Sequence, residues 1–162
     1  MKQGFTLVEL ILVLAIIGLM VGIGVANFRD FGKRQIVGNI SRQIVGDLQG
    51  AAADAAAGRR LSGCTGEYLG DRVTFPIDGS GRATSYTVYS ACSTTSSSIK
   101  TVTLPANAFL TFNVSGVGSV NLLFKPLQLG TDAPGSGFII TVSHSQAAEQ
   151  SVVTVLQTAE IH

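Results

Sequence analysis

The sequence is poor in charge and in proline. Only 13% of its 162 residues are charged and the formal net charge is +1, so no overall electrostatic field attracts the protein to nucleic acid or acidic lipid. None of the four prolines precedes Pro76, so a long helix can form before it. Only five charged residues follow Ala83, among many Ser, Thr and Val. This composition predicts a β-rich C-terminal module.

Cysteine is also scarce, with Cys64 and Cys92 alone. A structural metal site usually needs three or four ligands, and His144 and His162 show no ligand spacing relative to either cysteine. We therefore predict no metal site and no cofactor. If this part of the chain is exported, a disulfide is favoured, worth roughly 3 kcal/mol in the chain-entropy model. Two free buried thiols are the alternative.

No catalytic constellation is recognisable. Ser145 and Ser151 flank "QAAEQ" without a nucleophile elbow, and His144 beside a serine is typical of a polar pair at a strand end. "GSG" at 79–81 and 135–137 precedes no predicted helix, so both segments predict turns rather than phosphate-binding loops. The sequence therefore predicts that the protein is not an enzyme.

What the sequence does have is a long apolar run. Residues 10–26 carry no charge and no strongly polar side chain. As a helix through Phe28, the run would cover roughly 28 Å, about one hydrocarbon thickness. A cleavable secretory signal would end in a small-x-small cleavage site, but the downstream "VANFRDFGKRQ" has no convincing one. The run is therefore predicted to be a retained transmembrane helix.

The helix is predicted to continue as an amphipathic segment over residues 29–58. One stripe recurs at steps of three and four, and Gly58 is the predicted C-cap; the stripe consists of Val37, Ile40, Ile44, Leu48, Ala51 and Ala55. Short strands with turn signals between them follow: "RVTFPI", "TSYTVYSA", "IKTVTL", "FLTFNV", "VNLLF", "GFIITVS" and "SVVTVL". The predicted fold class is α+β, a long N-terminal α-helix packed by its C-terminal half on an antiparallel β-sheet domain.

The opening "KQG" followed by "FTLVELILVLAIIG" resembles the class III leader of type IV pilins and type II secretion pseudopilins. The resemblance implies that a prepilin peptidase cleaves between Gly4 and Phe5 and that the new Phe5 amine is methylated. It also implies that Glu9 pairs with the N-terminal amine of a neighbouring subunit during assembly. A positive partner would offset the few kcal/mol that an ionised carboxylate costs in hydrocarbon. The alternative places Glu9 inertly at the headgroup level.

Two later stretches resemble the GspH/FimT-type pseudopilins. In "IVGDLQGAAADAAAGRR" the likeness is carried by Asp47, Leu48, Gln49 and Ala51, and in "LLFKPLQLG" by Phe124, Pro126 and Gly130. The closing "VVTVLQTAEI" resembles the final strand of that group. In its DNA-binding members this strand has a glycine followed by arginines, where this chain has Ala159 and Glu160. A carboxylate repels phosphate, which disfavours DNA as a partner.

Many pilins also have a proline near Ala26, where this chain has none.

A cluster of basic residues follows the apolar run: Arg29, Lys33, Arg34 and Arg42. These residues are predicted to meet lipid headgroups before assembly, and carboxylates such as Asp47 or Asp54 after it, in preference to nucleic acid.

The resulting prediction divides the chain into a leader (1–4), a membrane and filament-core helix (5–28), an amphipathic half-helix (29–58) and a β-rich domain (59–162). The protein is predicted to be a pilin-like structural subunit. It would cross the inner membrane once, with its C-terminal domain outside the cytoplasm, and then enter a pilus or pseudopilus. The expected partners are other pilin or pseudopilin subunits, the prepilin peptidase and the assembly machinery. The alternatives are a minor pilin that binds DNA or a secreted substrate, and an anchored protein that never polymerises.

Overall fold

The chain is described here by a computed structural model that covers residues 7–162 apart from 115, 117 and 128, with the backbone alone for residues 23–30. Within these residues, one helix, α1, spans Leu7–Ala56 and precedes seven strands. The strands are β1 (Tyr68–Pro76), β2 (Ser85–Cys92), β3 (Ser97–Thr103), β4 (Ala108–Phe112), β5 (Ser119–Phe124), β6 (Phe138–His144) and β7 (Gln150–Val155).

Helix α1 contains 50 residues and ends at a glycine cap. Gly58 has a φ of +64°, a conformation that costs glycine little. Its amide donates to the Ala55 carbonyl, and the Arg59 amide donates to the Asp54 carbonyl at 2.9 Å. This pair of bonds is a Schellman motif, which satisfies the last carbonyls of the helix and turns the chain toward β1.

The strands form two antiparallel sheets, whereas the sequence pattern had suggested one. The first sheet has the order β3-β2-β1-β5 and the second has the order β4-β6-β7. Strand alternation is visible in the sequence, but the choice of partner depends on contacts between distant segments, such as the bridge between Ala83 and Leu110. The two sheets are therefore a feature that local patterning does not predict.

Both sheets and the C-terminal half of α1 share one core. The helix packs on β1 and β5 of the first sheet and on β6 and β7 of the second. The ring of Phe75 lies 5.0 Å from that of Phe112 and 6.1 Å from that of Phe138, which joins the sheets. The six stripe residues predicted from the sequence are all 4% exposed or less: Val37, Ile40, Ile44, Leu48, Ala51 and Ala55. The predicted α+β fold class is confirmed.

One glycine permits a close approach within the first sheet. Gly70 has a φ of +123°, and it lies at an irregularity in the pairing of β1 with β2. A Cβ at this position would collide with the carbonyl oxygen of Phe124, on the neighbouring strand β5. Only glycine fits this position without moving the backbone.

Candidate assembly interface

The N-terminal part of α1 projects beyond the core with its apolar side chains uncovered. Twelve large apolar side chains between positions 7 and 21 are 44% to 74% exposed; they are Leu7, Val8, Leu10, Ile11, Leu12, Val13, Leu14, Ile16, Ile17, Leu19, Met20 and Val21. They surround the helix and form no single stripe. Each would contribute about 1.5–3 kcal/mol if fully buried. A helix that is apolar all round belongs inside a larger apolar environment, either lipid or other helices.

Glu9 lies in the first turn of this exposed segment. Its position near the helix N-terminus is favourable for a carboxylate, because the helix dipole is positive there. The predicted processing residues, Gly4 and Phe5, lie outside the described residues. Their roles, and the pairing of Glu9 with a neighbouring amine, stay predictions.

The predicted transmembrane segment, residues 5–28, falls partly outside the described residues. Within the part of the chain that the structure describes, no helix combines the length and the apolarity needed to cross a membrane.

The C-terminal half of α1 is fastened to the first sheet through Asp47. The Tyr86 hydroxyl donates to Asp47 Oδ2 at 2.6 Å, and the Lys100 ammonium donates to Asp47 Oδ1 at 2.7 Å. Burial, followed by the bond to this carboxylate, raises the pKa of Tyr86. Tyr86 is on β2 and Lys100 on β3, so a single helical carboxylate holds both strands against the helix.

A second fastening joins α1 to the turn between β6 and β7. The Arg34 guanidinium lies 3.4 Å from the Glu149 carboxylate, and the Lys33 ammonium donates to the Gln146 carbonyl at 3.3 Å. The Ser151 hydroxyl contacts that of Ser41 at 2.9 Å. Lys33 and Arg34 of the predicted basic cluster therefore contact this turn of the same chain, and Arg42 donates to the Asn39 side chain at 2.7 Å within the helix. The side chain of Arg29 belongs to the segment of which only the backbone is described.

An acidic groove lies between α1 and the first sheet. It has a volume of about 140 Å³ and is lined by Gly46, Asp47, Gly50, Ala51, Asp54, Asp71, Val88, Ile99 and Lys100. Asp71 is fully buried; its Oδ1 accepts a 2.8 Å bond from the Tyr68 hydroxyl, while its Oδ2 accepts none. Burial raises the pKa of Asp71 to about 6, the Tyr68 bond opposes this, and the charge of Asp54 adds to it. The groove thus contains a carboxylate that is costly to ionise.

The two cysteines are joined by a disulfide. Cys64 and Cys92 have Cα atoms 5.6 Å apart, and both are buried. The bridge ties the segment after α1 to the end of β2. It also holds this segment close to Ser90, whose carbonyl lies 3.2 Å from Cys64 Sγ.

His144, which the sequence places beside a serine at a strand end, has a local structural role. His144 is buried at the end of β6, and its Nδ1 accepts a bond from the Gln146 amide at 3.2 Å. Among the described residues, no group of three or more His, Cys, Asp or Glu side chains is placed to hold a metal ion.

Sequence reasoning missed the network around Asp47 and the buried Asp71. The sequence marks Asp47 by its likeness to a family motif and as a carboxylate for the basic residues of a neighbour, whereas its partners Tyr86 and Lys100 lie 39 and 53 residues away in the same chain. Asp71 did carry a signal, since a charged residue at an inward position of an alternating strand interrupts the apolar pattern of β1. Neither the motif at Asp47 nor the interrupted alternation at Asp71 identifies the residue that the carboxylate contacts.

Comparisons with known proteins give one match to the N-terminal residues and one match to the fold. Residues 1–25 match the family model described as the prokaryotic N-terminal methylation motif. The structure is similar to the crystal structure of the type IV minor pilin FimU of Pseudomonas aeruginosa strain PAO1, with a TM-score of 0.50 and 12% identity. The match covers 75% of this chain and 86% of that one. The fold is pilin-like. No curated protein matches the chain.

The motif and the fold support a coarse conclusion. The chain has a prepilin-type N-terminus and a pilin-like α+β fold, in which a projecting helix carries the exposed apolar surface and the β-rich part is fastened to the helix at two places. At this level of identity the likeness to FimU concerns the fold alone. The GspH/FimT subtype and the machine that the protein serves stay proposals.

Proposed function

We propose that the protein is a structural, non-enzymatic subunit of a type IV pilus or pseudopilus, and within that class a minor, GspH/FimT-like pilin. The single observation that carries the proposal is the projecting helix with its twelve uncovered apolar side chains. Such a surface is stable in water only when other apolar groups cover it. The methylation motif at the same end of the chain supports coverage by other pilins.

The proposed mechanism has two stages. Residues 5–28 first hold the subunit in the inner membrane, with the β-rich domain outside the cytoplasm. After the peptidase has cut between Gly4 and Phe5, the same apolar surface leaves the lipid and packs against equivalent helices of pilin or pseudopilin neighbours. Burial of apolar area drives this association. The Glu9 carboxylate then selects one axial register, because a charge inside an apolar helix bundle needs a positive partner at the same height.

The fastening of α1 to the β-rich domain has a mechanical role in this proposal. A filament transmits force from the helix core to the surface domains. The Asp47 network and the Arg34–Glu149 pair, together with the buried stripe, keep the C-terminal half of α1 attached to both sheets. The apolar surface of the projecting half then moves from lipid to neighbouring helices on assembly, while the C-terminal half stays packed on its own sheets.

A DNA-binding role is not proposed. Glu160 follows Ala159 near the C-terminus, and its carboxylate is exposed and accepts a bond from the Thr158 hydroxyl at 3.3 Å. This places negative charge where the DNA-binding relatives have arginines, and phosphate contact requires the opposite sign.

The test is the Glu9→Ala variant, expressed in cells that assemble the filament. We expect normal cleavage after Gly4, because Glu9 lies five residues beyond the bond that is cut, and loss of the subunit from sheared filaments. Processing is measured by the mass of the N-terminal peptide and incorporation by immunoblot of the filament fraction. Glu67→Ala is the matched control, since Glu67 is an exposed carboxylate on the β-rich side of the molecule. Normal incorporation of Glu9→Ala would refute the register mechanism.

A further inference from the structure

Strand β3 forms one edge of the first sheet, and its outer side is uncovered in the described part of the chain. The other three edge strands each hold a segment of the same chain on their outer side through backbone hydrogen bonds. Asp132 bonds to β5, Ala83 bonds to β4 and His162 bonds to β7. Among the described residues, none makes a backbone bond of this kind to β3.

The register of the sheet shows which backbone groups of β3 point outward. The Leu104 amide donates to the Thr84 carbonyl at 2.9 Å, so these residues form a hydrogen-bonded pair just beyond the ladder of β2 and β3. Hydrogen-bonded and non-hydrogen-bonded pairs alternate in an antiparallel ladder, and side chains lie closer in the second kind. The hydroxyls of Thr87 and Thr101 are 3.1 Å apart, which fits a non-hydrogen-bonded pair. The N–H and C=O groups of Thr101 and Thr103 therefore face away from the sheet.

This half of β3 is not protected against the addition of another strand. Edge strands are commonly blunted by charged side chains, prolines or bulges. Thr101 and Thr103 are exposed and uncharged, and the one charged residue of the strand, Lys100, points inward to Asp47. The irregularity in the pairing with β2 lies nearer the start of the strand. An extended segment can therefore bond to the outward groups of Thr101 and Thr103.

The acidic groove offers space for a side chain of the added segment. A strand paired with β3 would lie about 4.8 Å farther out, and alternate side chains on it would point to the same face of the sheet as Lys100. On that face the groove is lined by Ile99 of β3 and by the exposed Gly46 and Gly50 of α1. A Cβ at either glycine would meet no atom within 4 Å. The flank of the helix is thus open to a side chain from outside.

The charges of the groove favour an uncharged side chain there. Asp47 is paired with Lys100, and Asp54 lies 3.3 Å from the Arg59 guanidinium. Asp71 is fully buried, so another molecule does not reach it. A cation would therefore find no free carboxylate in the groove, and an anion would be repelled by the carboxylates at its mouth. The segment that binds is expected to be uncharged, with a β-branched residue facing the groove, because such residues favour extended strands.

A second copy of this chain does not supply the added strand. Its one uncovered edge is β3, and a contact between two β3 edges would be isologous, with two-fold symmetry. Subunits of a filament all point the same way and make heterologous contacts. The remaining edges of a second copy carry segments of their own chain. The strand must therefore come from a subunit of a different kind.

We propose that the β3 edge at Thr101 and Thr103 binds an extended, uncharged segment of a different pilin subunit, with one side chain of that segment in the acidic groove. This inference rests on the proposed filament function and deepens it, because it names the surface and the kind of partner. One such edge per subunit suits a minor pilin that joins a filament of other pilins.

A proline at the edge tests the contact in cells that assemble the filament. Thr101→Pro removes the outward N–H but no ladder bond to β2. It should lower the amount of subunit in sheared filaments by about tenfold, because the partner's acceptor loses its donor. Thr101→Val is the matched control, since it keeps the amide and the branched shape, and it should be incorporated normally. Incorporation of Thr101→Pro at the wild-type level would overturn the added strand.

Hydrogen exchange of the wild-type chain gives an answer that does not depend on the folding of the proline variant. In the full-length subunit in detergent, the outward amides of Thr101 and Thr103 should exchange rapidly. The amides of Lys100 and Val102, which bond to β2, should exchange slowly. In filaments enriched through a tag on the subunit, the two threonine amides should slow by at least about tenfold. Unchanged exchange of both amides in filaments would overturn the proposal.

Photo-cross-linking identifies the molecule that supplies the segment. Ile99→p-benzoylphenylalanine places the cross-linker at a residue that is 42% exposed beside the β3 edge, and it should give a product with a different pilin subunit in intact filaments. The control is Val152→p-benzoylphenylalanine, on β7, where the residue is 56% exposed and no such product is expected. A product of the Ile99 variant with a second copy of this chain would overturn the choice of partner.

The outcomes separate this inference from the proposed function. If wild type and Thr101→Pro are equally abundant in sheared filaments, the added strand is wrong and the filament function stands. If the wild-type subunit is absent from filaments altogether, both are wrong. Loss of Thr101→Pro, together with protection of the Thr101 and Thr103 amides in wild-type filaments, supports both.

Discussion

Replacement of Asp71 by asparagine should stabilise the protein at neutral pH. The buried carboxyl has a pKa of about 6 in the folded chain, against an ordinary value of 3.8 for aspartate. This difference of about two pKa units corresponds to roughly 3 kcal/mol of unfavourable free energy once the group is ionised in both states. Asparagine has nearly the same shape, and its Oδ1 can still accept the bond from Tyr68, but it carries no charge.

The sign of the pH dependence follows from proton binding. Between pH 4 and 6 the folded state keeps the proton of Asp71, whereas the unfolded state has lost it. The free energy of unfolding contributed by this group therefore decreases as the pH rises through that range and is constant above it. The groups that face Asp71 are Tyr68 on its own strand, Asp54 and Asp47 on α1, and Lys100 on β3. Of these, Tyr68 lowers the pKa and Asp54 raises it.

The assay is urea unfolding of the full chain in detergent, followed from pH 3.5 to 8. The difference in unfolding free energy between Asp71→Asn and wild type should be near zero at pH 3.5 and grow to at most about 3 kcal/mol above pH 6. Asp47→Asn is the contrasting variant: it should destabilise the protein at neutral pH, since Asp47 accepts bonds from Tyr86 and Lys100. A difference between Asp71→Asn and wild type that does not vary with pH would refute the assignment of a costly charge to Asp71.

Three further substitutions or treatments test the fold. Ala159 has a φ of +66°, so Ala159→Gly should raise the unfolding free energy by about 0.5–1 kcal/mol, measured as a higher urea midpoint. Gly70→Ala should lower it by about 2 kcal/mol or more, because the new Cβ would meet the Phe124 carbonyl; an unchanged midpoint would contradict the close approach. Reduction of the Cys64–Cys92 bridge should cost about 3 kcal/mol, measured by urea unfolding with and without reductant, and Cys64→Ser should make the protein insensitive to reductant.

The sequence alone determined the long helix and its two parts, an apolar N-terminal part and a C-terminal part with one buried face. The absence of proline before Pro76 permits one continuous helix, and the spacing of Val37, Ile40 and Ile44 marks the face that is buried. The uninterrupted apolar run near the N-terminus likewise predicts a surface that the single chain leaves uncovered. These features are local, because the period of a helix converts residue spacing directly into a face. Strand alternation similarly predicts the β-rich half.

Only the tertiary structure decided which distant segments meet. Two sheets form instead of one, Asp47 holds strands from far along the chain, and Asp71 and Lys125 are placed on opposite flanks of α1. These three arrangements depend on the packing of the whole core, because contacts between distant segments decide which strands pair and which carboxylate is buried. The periodicity of the sequence indicates the face of a helix or strand on which a side chain lies. Only the packing of the folded core determines which residues that side chain contacts.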